Sequence, residues 1–505
     1  MSNLQKSSTL DVLIDFINTS LDDLLAGQHA ESAEEQLLSL FQYCAQQVPA
    51  YKQFLALHQV NPDQITNYLA FQSLPLISKS NYMQVYSLPA RCLDGHLNCA
   101  DRIAVSSGST GQPTFWPRSA KFELDVAVRF EQVFVDSFHA DQQTTLAVVC
   151  FALGNWVGGL FTTSCCWHLA TKGYTLMVAT PGNQKAEIFR VVQELAPHYA
   201  QTVLLGYPPF LKDVIDAGLA EGINWAAFNT KLVFAGEVFS EEWRSLVAQR
   251  VGSTQPCFDT ASLYGTADGG VLGNETPLSI AIRRWLAQHP QAAHSLFGES
   301  RLPTLVQYDP HSRYFEVQEG MLVISAFNSV PLIRYGIADK GGLISYEDMW
   351  VFLGNYGITT FNQLGLPYNY QARQLPFVFV FGRIDFTVSY YGANIFPENI
   401  AVGLEQAKIM DWVTGKFVLG VRENQEGNSV LHIAVELLPN VLATDLMPFV
   451  IANSIRTQLL RLNSEFANYL PMERQLPQVS LHRFGDPEYF PVGVKHRYTV
   501  SAFKK

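Results

Sequence analysis

Charge is what this chain has least of. Asp, Glu, Lys and Arg make up 16% of its 505 residues, against about a quarter in an average globular protein, so the surface must rely on neutral polar groups. Positive charge is the scarcer sign, with 34 basic against 45 acidic residues and a formal net charge of -11. No basic run is present that would track a phosphate backbone, which excludes nucleic acid as a partner. Cys44, Cys92, Cys99, Cys150, Cys165, Cys166 and Cys257 include no C-x-x-C pair, and neither they nor the histidines show zinc-ligand spacing. A protein-held zinc is excluded, and reduced thiols in a cytoplasmic protein are expected. The acidic, amphipathic N-terminus, MSNLQKSSTLDVLIDFINTSLDDLL, lacks the basic and unbroken apolar regions of a signal peptide. No G-x-S-x-G elbow supports a serine hydrolase. The stretch from Gln142 to Thr171 has no charged residue and is long enough for a membrane span. Gly154, Asn155, Gly158 and Gly159 interrupt it, and TLAVVCFAL before them is short and β-branched, so it reads as soluble core with no membrane span.

Hydrophobic residues are plentiful at 48%, which rules out disorder as the dominant state. The length sets a prior of two large or about three average domains. Without repeats, organisation follows from alternating periodicities. A short strand at Arg102 to Ser106 leads through a Gly/Ser/Thr/Pro loop to a helical face over Ala120 to Phe138. Strand-like runs at 145–152, 174–179, 202–205 and 231–235 alternate with helical segments such as Lys185 to Leu195 and Phe239 to Gln249. The pattern predicts layered α/β structure with much parallel sheet. From about 302 to 383 the texture becomes β-rich, as at Arg313 to Val317 and Met321 to Ser325. Glu347 to Pro376 reads as a functional flap or an ordered insertion. Beyond Phe386 a smaller α+β unit follows, with strands near 417–422 and 429–436 and a helix near 444–462. The expected fold is therefore a large layered α/β N-terminal domain over 1–383 containing a β-rich subdomain, then a small mobile α+β domain over 384–505.

The loop S106-S-G-S-T-G-Q-P-T114 joins a strand to a helix, where backbone N–H groups and hydroxyls wrap an anion. Taken alone it is more often a plain βα turn, and it lacks the Gly-Lys-Ser/Thr ending of a Walker loop. Downstream come Gly236-Glu237, Tyr264-Gly265-Thr266-Ala267-Asp268, Ile333-Arg334-Tyr335-Gly336-Ile337-Ala338-Asp339, Gly382-Arg383-Ile384-Asp385, and Gly493-Val494-Lys495-His496-Arg497. In this order, over almost the whole chain, these pieces resemble the adenylate-forming superfamily, and most closely its phenylacetate-CoA ligase-like branch. The VPAYKQFL and LPLISKSNY segments around Tyr51 and Lys79 look like the N-terminal region of that branch.

The resemblance implies a role for each piece. Ser106, Ser107, Gly108, Ser109, Thr110 and Gly111 would grip the ATP phosphates, with Gln112 where the family usually has Lys, one charge fewer for pyrophosphate. Gly236 and Glu237 would border the adenine, with a mere surface contact at the strand end the equal alternative for Glu237; Tyr264 would lie against the adenine, Gly265 would belong to the same nucleotide site, and Thr266 would sit near the α-phosphate. Asp268 stands in place of the usual Glu as a Mg2+ contact, one methylene shorter. Its ordinary reading is a turn cap before Gly269-Gly270. Asp339 would accept both ribose hydroxyls, Arg383 would lie near the ribose, and Asp385 would be the interdomain hinge. Lys495 matches the catalytic lysine that bridges carboxylate and phosphate.

What this implies is an AMP-forming ligase. It joins ATP and a small carboxylic acid into an acyl-adenylate and passes the acyl group to a thiol, with CoA the default acceptor. An acyl carrier protein or an amine as acceptor, and a non-catalytic nucleotide- or acyl-binding homologue, are the alternatives; a homodimer stays open. GNWVGG with Trp156 and GYPPF with Tyr207 hint at an apolar or aromatic acyl pocket, although core packing explains the same aromatics.

Overall fold

The structure is a computed structural model. It describes residues 9–25, 32–106, 114–155, 157–236, 238–239, 241–298, 302–383, 388–395, 397–404, 406, 408–409, 411–424, 426–439, 441–490 and 499, with backbone alone at 106, 209, 242, 383 and 398. These residues divide into two compact units. One comprises the described residues through Ser106, Phe115–Gly206 and again from Gly218 to the end of the strand at 383. The other takes Thr114, Tyr207–Ala217 and the described C-terminal residues from 388.

In the first unit, β1 (Arg102–Ser106) and β2 (Thr114–Arg118) pair with each other. An eleven-stranded sheet is built from β3 (Thr145–Val149), β4 (Leu176–Ala179), β5 (Gln201–Gly206), β6 (Thr230–Ala235), β7 (Thr260–Thr266), β8 (Gly270–Asn274), β9 (Thr304–Gln307), β10 (Tyr314–Gln318), β11 (Met321–Ala326), β12 (Leu332–Ile344) and β13 (Phe377–Arg383). Their order across the sheet is 10-11-12-13-9-8-7-6-5-3-4. Strands β3 to β7 are parallel and the remainder antiparallel. β3 and β5 are buried along their whole length, the state in which parallel strands read as unbroken apolar runs. The β-rich stretch from 302 continues this sheet, because β13 returns to pair with β9 on one side and β12 on the other.

The helix Ala120–Gln132 starts at Ser119, whose hydroxyl accepts the Phe122 N–H at 3.3 Å, and is buried on nearly every side. The charges it carries inward are answered. Glu123 accepts from His168 at 2.6 Å and from Arg102, and Glu131 from Lys172 at 2.9 Å and the Tyr174 hydroxyl at 2.6 Å. The 347–376 connection is an ordered insertion. Its helix Tyr346–Gly354 is capped by Ser345 and packs Met349 and Leu353 against Leu278, Ile282 and Phe377. The uncharged 142–171 stretch resolves into β3 and the helix Val157–Lys172. Among the described residues no helix is long and apolar enough to cross a membrane.

The second unit contains the hairpin β14 (Val388–Tyr390) and β15 (Ala393–Ile395), and a three-stranded sheet of β16 (Val413–Glu423), β17 (Ser429–Leu437) and β18 (Gln478–His482). The helices Pro397–Leu404 and Met447–Leu462 approach closely at Gly403, where a β-carbon would sit 2.7 Å from Ile455 Cα. Tyr207–Ala217 is held to this unit by Lys212, which donates to Asn428 Oδ1 at 2.8 Å, and by the Arg474–Asp213 pair at 2.5 Å.

On β17, burial together with the nearby positive charges of Arg422 and His482 pushes His432 down to about 4 from its ordinary 6.5. Between those values the unfolded chain binds more protons than the folded one. The contribution to stability is therefore whole above pH 6.5 and lost as pH falls toward 4. Acid melting curves should show this: His432→Gln is expected to flatten the fall in melting temperature between pH 7 and 4.5 relative to wild type. Parallel slopes would refute it.

Candidate functional site

Strands β6 and β7 lie side by side with Ala235 opposite Leu263, so Gly236 leaves β6 beside Tyr264. β7 and β8 form a tight hairpin whose glycines are required by its backbone. A β-carbon on Gly265 would sit 2.6 Å from the Gly270 carbonyl oxygen. Gly270 has φ +72° and would press a β-carbon onto Phe122 at 2.8 Å. The turn is closed by Thr266, whose hydroxyl accepts the Gly269 N–H at 3.0 Å. This is the work the ordinary reading gave to Asp268. Asp268 instead turns inward and is 3% exposed.

Two tyrosines and two aspartates cross between β12 and the β7–β8 hairpin. The Tyr264 hydroxyl donates to Asp339 Oδ2 at 2.7 Å, and the Tyr335 hydroxyl donates to Asp268 Oδ2 at 2.6 Å. Four strand steps separate β7 from β12 in the sheet, about 19 Å if it were flat. β8 and β9 pair at Asn274 and Gln307, and the two hydroxyl bonds bring the ends of β7 and β12 within side-chain reach of each other. Asp339 is also the cross-strand partner of Arg383 on β13.

Arginines hold this arrangement from behind. Arg118 is buried and donates to the carbonyls of Ala267 and Asp268, while its guanidinium lies 4.4 Å from the centre of the Phe122 ring and 5.1 Å from that of Phe161. Burial lowers its pKa to about 9 against the opposing pull of the Asp268 carboxylate. Arg313 donates to the Gly269 carbonyl at 3.2 Å, with its guanidinium 5.0 Å from the centre of the Phe122 ring, and Asn328 donates to the Asp268 carbonyl at 3.2 Å. Arg334, held at φ 48°, reaches the carbonyls of Gln72 and Leu74 and the carboxylate of Glu316. It thereby ties the LPLISKSNY segment to β12. Sequence reasoning assigned no role to Arg118, Asn328, Arg334 or Tyr335. The available signal was charge on apolar strands in a chain that uses little charge, since a buried guanidinium must be paid for by specific acceptors.

The structure thus brings together Gly236, Tyr264, Gly265, Thr266, Asp268, Asp339 and the Arg383 backbone. Ser106 ends β1. Tyr207 lies in the second unit, against Gly392 and 5.4 Å from the Tyr469 ring. Ser107, Gly108, Ser109, Thr110, Gly111, Gln112, Trp156, Glu237, Asp385 and Lys495 lie outside the described residues.

As a magnesium contact, Asp268 fits in one respect: its Oδ1 is buried with no hydrogen-bond partner among the described residues. No group of three or more metal-ligating side chains accompanies it among them, so other ligands of a hard cation would have to be phosphate oxygens and water. Tyr335→Phe, by removing the Oδ2 donor, is expected to lower stability by about 1–3 kcal/mol, read as a shift in the urea midpoint. An unchanged midpoint would mean that the Tyr335 hydroxyl carries no share of this carboxylate.

No family model matches the sequence, and no curated protein matches it. Solved structures do. 2-Hydroxyisobutyryl-CoA ligase, in complex with 2-HIB-AMP and CoA in its thioesterification state, aligns over 94% of this chain and 91% of its own at 16% identity, with a TM-score of 0.64. An open conformation of that ligase with 2-HIB-AMP and CoA covers 96% of both chains at 14% identity and 0.53. Its postadenylation state with R3-HIB-AMP covers 92% and 88% at 15% and 0.52. Over nearly its whole length the chain shares the fold of these 2-hydroxyisobutyryl-CoA ligase structures.

Proposed function

We propose that the chain is an AMP-forming carboxylate ligase, which activates a small carboxylic acid with ATP and transfers the acyl group to a thiol, CoA by preference. The observation that carries this reading is the convergence of Tyr264, Asp339 and the Arg383 backbone where β7 and β12 meet. A flat aromatic ring held beside a buried carboxylate suits a base with a ribose attached, because the ring offers a stacking face and the carboxylate an acceptor for hydroxyls. Thr266 and the loop at 106–111 would receive the phosphates.

In the proposed first step a carboxylate oxygen attacks the α-phosphorus and the bond to pyrophosphate breaks. Lys495 stabilises the charge that builds there, and exclusion of water protects the adenylate. Magnesium, when bound, neutralises phosphate charge, and Asp268 Oδ1 is the oxygen that would hold it. We assign residues 1–383 to nucleotide and acid binding and 384–505 to a mobile lid hinged at Asp385. Trp156 and Tyr207 are assigned to an apolar or aromatic acyl pocket.

The test is a panel of carboxylic acids assayed for pyrophosphate release with ATP and magnesium, with and without CoA. At least one acid should drive release and yield a thioester when CoA is added. ATP binding with no release for any acid would replace the reading by a non-catalytic nucleotide binder.

A further inference from the structure

The three-stranded sheet of the second unit carries a serine, a histidine and an aspartate in contact with one another. Ser480 and His482 are two apart on β18, so both side chains stand on the same face of the strand. Ser480 Oγ lies 2.9 Å from His482 Nε2, and the other ring nitrogen, Nδ1, faces Asp486 Oδ2 at 3.5 Å. A serine and a histidine so spaced often do no more than satisfy each other. Here the chain after the strand doubles back to supply the third group. The Asp486 N–H donates to the Arg483 carbonyl at 3.1 Å, and Gly485, at φ 69°, donates its N–H to Glu436 Oε1 at 2.9 Å. Asp486 Oδ1 accepts the N–H groups of Glu488 at 2.9 Å and Tyr489 at 3.1 Å, which leaves Oδ2 to the ring.

The competing carboxylate is occupied. Glu436 stands opposite His482 on β17, but its Oε1 takes Gly485 and its Oε2 accepts the Thr414 hydroxyl at 2.7 Å, with Lys416 at 3.5 Å. The ring itself is held against Tyr489 and Phe490, with centroids 4.4 and 6.0 Å away. Burial opposes ionisation of Asp486, yet the Tyr489 and Glu488 N–H groups and the facing imidazole hold its carboxyl below the usual carboxylate range. An ionised carboxylate only accepts, so Nδ1 carries the proton and Nε2 is left to accept the serine hydroxyl. That is the arrangement in which an imidazole withdraws a proton from an attacking serine oxygen. Solvent reaches the group, since the His482 and Asp486 side chains are 19% and 21% exposed and Ser480 is partly buried.

We propose that Ser480, His482 and Asp486 form a second reactive centre, an ATP-independent esterase that takes the acyl group from esters and thioesters with good leaving groups. It does not depend on the nucleotide reading of the first unit. The Ser480 oxygen attacks the acyl carbon while His482 Nε2 takes the hydroxyl proton. The bond to the leaving oxygen or sulfur breaks, and that atom departs with the proton from Nε2, leaving an acyl-serine. Water then attacks the same carbon and gives a proton to Nε2, and the serine oxygen leaves and recovers it. The products are a carboxylic acid and an alcohol or thiol. Asp486 is the positioning residue, fixing the ring and its tautomer. General-base assistance contributes about 10²–10⁴-fold, which suits activated esters and falls short for amides.

The full-length protein, without ATP, is treated with an alkyl fluorophosphonate, digested and weighed, and hydrolysis of p-nitrophenyl acetate is followed in parallel. The phosphonyl group is expected on Ser480 with loss of fluoride. Ser480→Ala should abolish that adduct and lower p-nitrophenol release by about 10-fold or more, and His482→Gln should slow labelling of Ser480 by about 100-fold or more. Asp486→Asn should slow it by about 10-fold or more, and Asp486→Glu should restore most of the rate. Such a recovery separates orientation of the ring from a role in folding. Each variant is compared at an unchanged melting temperature; should His482→Gln not fold, the wild-type adduct and the Ser480→Ala rate still decide. Absence of the phosphonyl group from Ser480 would overturn the proposal. So would labelling of folded His482→Gln at the wild-type rate, or ester hydrolysis undiminished in Ser480→Ala.

Discussion

Lys495→Ala is expected to lower adenylation by about two orders of magnitude or more while leaving ATP binding in place. A positive charge preorganised where negative charge develops at the α-phosphorus acts on the transition state, and removing such a group typically costs this much in turnover. Lys495 itself lies outside the described residues, and two residues flanking it, one on either side, are described. On one side Phe490 is buried against Val418 and Ala434, and on the other Thr499 bridges to Leu419. Single-turnover formation of the acyl-adenylate, with ATP binding measured separately by calorimetry, checks the prediction. A variant forming adenylate at nearly the wild-type rate would remove Lys495 from the mechanism.

Asp339→Ala should act on the other quantity, raising the KM for ATP by roughly 10- to 100-fold. Hydrogen bonds to a charged acceptor contribute about 1.5–3 kcal/mol each, and every 1.4 kcal/mol is a factor of ten. Asp339 is 6% exposed and receives the Tyr264 hydroxyl, so its loss also strands that hydroxyl and some stability falls with it. Tyr264→Phe separates the two effects, because it removes the hydroxyl and keeps both the ring and the carboxylate. It should leave the KM within a few-fold of wild type. Binding of 2′,3′-dideoxy-ATP supplies the sharper measurement. Wild type should bind it as weakly as Asp339→Ala binds ATP, and Asp339→Ala should not distinguish ATP from the dideoxy analogue. A variant that still prefers ATP would show that the carboxylate does not read the ribose.

Much of the local structure was legible because it depends on neighbours in the chain. The helix over Lys185–Leu195 forms where its periodicity puts it, and the strands at 145–149, 201–206 and 230–235 fall on the apolar runs. The run Tyr264-Gly265-Thr266-Ala267-Asp268-Gly269-Gly270 reads as a strand end followed by a turn, and the structure closes it into a hairpin with no room for β-carbons at Gly265 and Gly270. The expected helix over Ala120 to Phe138 changes character after Gln132, where a π turn over Val133–Ser137 replaces it. Apolar periodicity at i and i+4 does not distinguish i→i+4 from i→i+5 bonding over a single turn.

By itself the sequence determined which apolar runs enter the parallel strands, where the helices at 120 and 185 start, and that a glycine-rich turn follows β7. Each of these follows from propensities and sterics acting over a few residues. The tertiary structure decided that the strands after 302 extend the same sheet, and that β8 meets β9 at Asn274 and Gln307. It likewise decided that Tyr264 meets Asp339 and Tyr335 meets Asp268, across 75 and 67 residues of chain. Strand order and sheet curvature set those distances. They come from pairings whose partners are far apart in sequence, on which the local alternation of apolar and polar residues places no constraint.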